Sequence, residues 1–135
     1  MQNLAPHLAL QQALQKAVGE PLLILLSGHP DPDAIGSALA HQRICRSLGV
    51  PATIGHVRPV SHRENRALVK LLGVEMRQIS SGKELAAYKF LSLVDTCSPE
   101  VCLEIPETMQ LLTIVDHHLT GEKPAAAFVD VRRAY

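Results

Sequence analysis

The sequence predicts a parallel α/β domain, and three observations carry that reading. Continuous apolar runs of strand length recur along the chain. Segments with helical spacing of apolar residues separate them, and glycines stand at the ends of several of those segments. An unbroken apolar run fits a strand covered on both faces, as in a parallel sheet, and alternation of strand with helix implies right-handed crossovers.

The elements follow in order. Residues 4–18 carry Leu4, Leu8, Leu10, Leu14, Ala17 and Val18 at roughly helical spacing, closed by Gly19. Leu22–Leu26 is a strand-like run between Pro21 and Ser27-Gly28. Residues 34–48 return to helical spacing through Ile35, Ala38, Leu39, Cys45 and Leu48, with Gly49 as the stop. Residues 52–57 fit a second strand, and residues 63–72 a helix ending at Gly73. A weak strand is expected over 75–79, stronger ones over 90–94 and 111–115, and a last one over 127–131.

Composition narrows the function classes. The 135 residues fit one domain, and 47 % apolar with 19 % charged residues can fill a core. Thirteen basic side chains balance thirteen acidic ones, so bulk charge points to neither nucleic acid nor a membrane surface. Three cysteines form no regular framework, which places the expected home in the reducing cytoplasm. The longest aliphatic run, Leu22–Leu26, is far short of the ~20 residues of a membrane span, and no signal-peptide pattern is visible. The chain stops just after the strand expected over 127–131, which reads as a cut through a longer protein. A strand bared there would invite a homodimer.

Three of the apolar runs lead into acids. Leu22–Leu26 precedes Ser27-Gly28-His29-Pro30-Asp31-Pro32-Asp33, Phe90–Val94 precedes Asp95-Thr96, and Leu111–Val115 precedes Asp116-His117-His118. Ligands of open α/β sheets sit outside the carboxyl ends of the strands. Parallel pairing would therefore gather four Asp and three His at one edge. Carboxylates so close repel, and these three segments contain no Lys or Arg to offset them. The four Asp total −4, which two divalent ions balance. Imidazole and carboxylate without thiolate suit Mn²⁺, Fe²⁺, Co²⁺ or Zn²⁺ better than Ca²⁺. Two such ions could activate a water and clamp a phosphoryl group for in-line attack. Gly36 and Ser37 open the next helix, whose N-terminal N–H groups suit an anion. Gly36 is also expected to meet a close neighbour, because glycine inside a helix is otherwise unfavourable.

Each piece has a plainer alternative. Asp33 could simply cap the helix, Asp95 could be a turn residue, and His117-His118 could be surface histidines. Their recurrence at three equivalent strand ends is what favours a site. Six Arg or Lys between residues 41 and 70 fit a solvated helix face better than a phosphate patch. Cys97 and Cys102 lack the partners of a zinc site, and no aromatic platform for stacking bases is present.

With these segments in hand, the chain resembles the DHH phosphoesterase family over about residues 20–135. The resemblance lies in Gly28–Ser37, Leu93-Val94-Asp95-Thr96 and Ile114-Val115-Asp116-His117-His118, and less specifically in residues 61–68. It implies a Rossmann-like parallel sheet with helices on both faces, forming the family's N-terminal domain over residues 1–135, with a C-terminal substrate-binding domain absent. It implies two Mn²⁺ ions, replaceable by Mg²⁺ or Co²⁺, with His29 and Asp31 on the first and Asp33 and His117 on the second. Asp95 would bridge them, Asp116 would support the site from behind, and His118 would face the substrate phosphate beside Gly36 and Ser37. The implied substrates are short oligonucleotides or nucleotide bisphosphates. Polyphosphate or pyrophosphate hydrolysis, or metal-dependent phosphate binding without turnover, are the alternatives. Two features depart from the family pattern. Only Pro30 stands between His29 and Asp31 where many members have three residues, and no later Asp matches the family's further ligand, since Asp130 lies too near the motif.

Overall fold

The computed structural model of the protein describes residues 5–26, 29–60, 62–95, 105–116 and 126–131. Its elements run α1 (Pro6–Gln15), β1 (Leu22–Leu26), α2 (Pro32–Ser47), β2 (Ala52–His56), α3 (Arg63–Leu72), β3 (Met76–Gln78), α4 (Gly82–Leu85), β4 (Phe90–Val94), β5 (Gln110–Asp116) and β6 (Phe128–Val131). The strands form one sheet in the order β3-β2-β1-β4-β5-β6, and every pairing is parallel. β1 therefore lies inside the sheet, and all five of its side chains are buried.

Alternation along β1 divides the core in two. Leu22, Ile24 and Leu26 pack with Leu14 and Ala17 from α1 and its end, and with Ala34, Ala38 and Cys45 of α2. Leu23 and Leu25 point the other way, to Ile79, Leu85 of α4, Leu91, Leu93 and Met109. This two-sided burial is what the uninterrupted Leu-Leu-Ile-Leu-Leu run encodes. Gly55 of β2 leaves room for that second layer: a Cβ there would lie 2.8 Å from Leu23 Cδ1.

Several elements depart from the expected bounds. α1 ends at Gln15 and tightens into turns up to Gly19. α2 begins at Pro32, two residues early, because proline at the first helical position needs no N–H partner. The four-residue α4 went unread, being too short for a periodic signal; Ser81 and Glu84 close it with a reciprocal capping box. β5 extends through Asp116 and carries a bulge, since Leu91 faces Leu111 but Ser92 faces Thr113. Among the described residues no helix is long and apolar enough to cross a membrane.

Candidate functional site

Parallel pairing carries β1, β4 and β5 to one carboxyl edge, and the acids follow from it. Asp31 precedes α2, and its Oδ1 accepts the Ala34 N–H at 2.8 Å. The capping carboxylate is thus Asp31 and not Asp33, which lies exposed in the first turn of α2. A carboxylate at each of these positions is favoured by the positive end of the helix dipole.

Asp95 directly follows β4, and its backbone is left-handed, with φ 61°. It is the one non-glycine residue with positive φ among the described residues. Asp tolerates that region better than most side chains, but such a conformation is typical of sites where geometry outranks comfort. The Asp95 N–H donates to the Val115 carbonyl at 2.9 Å, which holds Asp95 beside the end of β5. There Asp116 closes the strand, 6 % exposed.

The segment between β2 and α3 wraps the first of these loops. The Val57 N–H donates to the Leu26 carbonyl at 3.2 Å, and Nδ2 of the buried Asn65 donates to the Pro30 carbonyl at 3.2 Å. His29 Nδ1 stands 3.5 Å from the Pro59 carbonyl oxygen. When Nδ1–H donates there, Nε2 keeps its lone pair for an ion, the usual arrangement of a metal-bound imidazole. His56 also reaches this edge: it pairs with Leu26 at the end of β2, is 7 % exposed, and its Nδ1 lies 2.7 Å from the Arg58 carbonyl oxygen. The sequence offered no local sign of these clasps. Its one available hint was that His56 closes a strand-like run next to the basic 58–66 stretch.

Two readings of α2 change. Gly36 and Ser37 lie beyond the first four residues of the helix, so their N–H groups belong to its own ladder and not to its open N-terminus. Gly36 is exposed, and among the described residues no atom outside its own helix backbone and chain neighbours lies within 4 Å of a Cβ built on it. The described residues therefore supply no close neighbour of the kind expected. Both residues remain on the exposed side of the turn that follows Asp33.

The donor set suits a divalent cation: carboxylate oxygens and an imidazole nitrogen, without thiolate. Neither Asp31 nor Asp33 forms an ion pair among the described residues. Also among the described residues, no three His, Cys, Asp or Glu side chains stand close enough to enclose an ion. The expected ligands are spread over three segments of the chain; the expected ligand His117 and the expected phosphate-facing His118 lie outside the described residues, as do Thr96, Cys97 and Cys102.

A known family and a known protein resemble this chain. A family profile described as "DHH family, N-terminal domain" matches residues 23–135. An uncharacterized protein of Methanocaldococcus jannaschii is 34 % identical over 113 residues, which cover 83 % of this chain and 23 % of that protein. The chain thus spans about a quarter of the length of the curated relative it matches.

Proposed function

The chain belongs to the DHH family of metal-dependent phosphoesterases and phosphoanhydride hydrolases, and from that premise we propose that it forms the metal-bearing half of a Mn²⁺-dependent hydrolase of short oligonucleotides or nucleotide bisphosphates. One observation carries the reading. Three parallel strands deliver Asp31, Asp33, Asp95 and Asp116 to a single carboxyl edge, and Asp95 adopts a left-handed backbone beside Asp116 to do so.

His29, Asp31, Asp33, Asp95 and His117 would hold the ions, which when bound supply Lewis-acid activation of water and of the phosphoryl oxygens. The chain's own groups do the rest. Asp31 has one oxygen committed to the α2 cap, so its orientation is fixed before any ligand arrives. His29 is steadied from behind by the Pro59 carbonyl. Asp116, at the last position of β5, would support the site from behind. His118 would face the substrate phosphate and give a proton to the leaving oxygen as water adds to phosphorus and the P–O bond breaks. Gly36 and Ser37 border the same turn: Ser37 offers a hydroxyl to a phosphate oxygen, and the missing side chain of Gly36 leaves approach open.

The test is hydrolysis by the purified protein, with Mn²⁺, of a 5′-phosphorylated dinucleotide, phosphoadenosine phosphate and polyphosphate in parallel. The proposal expects turnover of one of the first two, abolished by chelation and restored by Mn²⁺. Turnover that survives exhaustive chelation overturns it. Preference for polyphosphate moves the substrate class to phosphoanhydrides. Tight Mn²⁺ and nucleotide binding with no turnover moves the protein to a regulatory role.

A further inference from the structure

Besides Gln42, whose side chain donates to the Ala52 carbonyl at the start of β2, three polar side chains cross the mainly apolar layer between α2 and the sheet. Ser92 and Thr113 are fully buried and His41 is 4 % exposed. Ser92 Oγ lies 2.6 Å from Thr113 Oγ1, and Thr113 Oγ1 lies 3.3 Å from His41 Nε2. Buried polar groups are unfavourable unless satisfied, and an apolar trio would fill this layer more simply. Their placement gives a reason for them. Each belongs to one of the elements that lead to the acid edge: α2 begins beside Asp31 and Asp33, β4 ends at Asp95, and β5 ends at Asp116.

The trio also sits on the one register shift of the sheet among the described residues. Leu91 pairs with Leu111, but Ser92 pairs with Thr113, so Leu112 is the extra residue of a bulge. The burial pattern agrees. Leu112 packs into the α2-side core, Thr113 bonds to His41 of α2 on that same face, and Ile114 returns to the opposite face. Without the extra residue, the pairing of Phe90 with Gln110 would continue in step and set Asp95 opposite Val115. With it, Val94 pairs with Val115, and Asp95 comes level with Asp116. One residue of slip is ~3.3 Å along a strand, enough to remake a metal site.

We propose that Thr113, together with Ser92 and His41, is the positioning unit that locks this bulge and thereby sets Asp95 level with Asp116. The inference rests on the proposed function in treating those two residues as parts of the metal centre. Hydroxyls at 92 and 113 satisfy each other in the bulged register only, since the unbulged one would put Leu112 opposite Ser92. His41 completes the lock from α2. Burial holds its imidazole neutral, with a pKa pushed down to about 4, so it meets Thr113 as a hydrogen-bonding group and not as a cation.

The experiment compares Thr113→Val, which keeps shape and removes the hydroxyl, with Thr113→Ser, which keeps the hydroxyl. The first readout is metal-free: amide hydrogen exchange of Asp95, whose N–H bonds to Val115 across the β4/β5 pair. Thr113→Val is expected to speed that exchange at least ~10-fold relative to amides of β1, with Thr113→Ser within ~3-fold of wild type. The second readout is Mn²⁺ affinity, expected to fall at least ~10-fold in Thr113→Val, with kcat reduced more than KM is raised. Unchanged Asp95 exchange in Thr113→Val, or equal damage in Thr113→Ser, overturns the proposal. Should Thr113→Val not fold, Ser92→Ala, which leaves the Thr113–His41 contact in place, decides by the same two readouts. A wild-type protein that neither binds Mn²⁺ nor hydrolyses phosphate esters refutes the proposed function, while Asp95 exchange still decides the role of the bulge.

Discussion

The two edges of the sheet solve the same backbone problem in opposite ways. At the amino edge, where helices return to strands, the described residues enter the left-handed region three times and use glycine each time: Gly19 at φ 77°, Gly49 at 83° and Gly73 at 61°. At the carboxyl edge they enter that region at Asp95, with the same 61° as Gly73. Glycine is the residue at ease there; most others accept a penalty of ~1–2 kcal/mol, and Asp a smaller one. The amino edge needs only to turn. The carboxyl edge needs a carboxylate at the turn, and retains it against the local preference.

That contrast can be tested from both sides. The largest effect is expected at Asp95. Asp95→Asn keeps the shape and the left-handed backbone, so thermal stability should stay close to wild type while phosphoesterase activity falls roughly 10³-fold or more. Asp95→Gly should be equally inactive but at least as stable, because the strain is relieved. A Gly variant with near-wild-type turnover would erase the distinction between the edges.

A second effect belongs to the layer between them. Unfolded His41 titrates near 6.5 and folded His41 near 4, because burial disfavours the imidazolium. As pH falls, the unfolded chain takes the proton first. Stability is complete above pH 6.5 and is lost progressively between 6.5 and 4, by about 2 kcal/mol at pH 5 from this group. Urea unfolding at pH 7 and pH 5 measures it, and His41→Gln should remove that share of the pH dependence.

Glycine substitutions give the next step down. Gly49→Ala should lower stability by about 1 kcal/mol because its φ is left-handed; the added Cβ would make only an ordinary contact, 3.5 Å from Val18 Cγ1. Gly36→Ala should do the reverse, raising it by up to ~1 kcal/mol, because that position is helical, exposed and open. Melting temperatures of the two variants would separate a glycine kept for its backbone from one kept for access to the turn beside it. The smallest effect is expected at Cys45. Burial pushes its thiol up to about 11, so thiol reagents should leave it unmodified in the folded protein and label it only on unfolding.

How much of this was legible in sequence depends on how local each feature is. Leu22–Leu26 and Phe90–Val94 could be read to the residue because two-sided burial leaves an unbroken apolar run. The start of α2 was missed because Asp31-Pro32-Asp33 looks like a turn, although Asp before Pro is also how a helix begins. The carboxyl-edge acids could be found from their strands alone. The clasp of Asn65 on Pro30 and the Ser92–Thr113–His41 chain could not. They join residues 21 to 72 positions apart, and a lone Ser or Thr in an apolar run carries no mark of its partner.

The strand order also shapes the birth of the molecule. β1 leaves the ribosome before the other five strands of this sheet, yet Leu22 pairs with Phe90 on one side as well as with Ala52 on the other. Until β4 has been synthesised, one flank of Leu-Leu-Ile-Leu-Leu has no neighbour to bond to. A nascent chain at that stage carries an apolar strand with an open edge, the kind of surface that chaperones hold and that aggregates grow from. Non-local parallel pairing is also slow to form, so this interval is long compared with helix formation. Substitutions that weaken β4 should therefore appear first as lost soluble yield during synthesis, before they lower the melting temperature of the molecules that do fold.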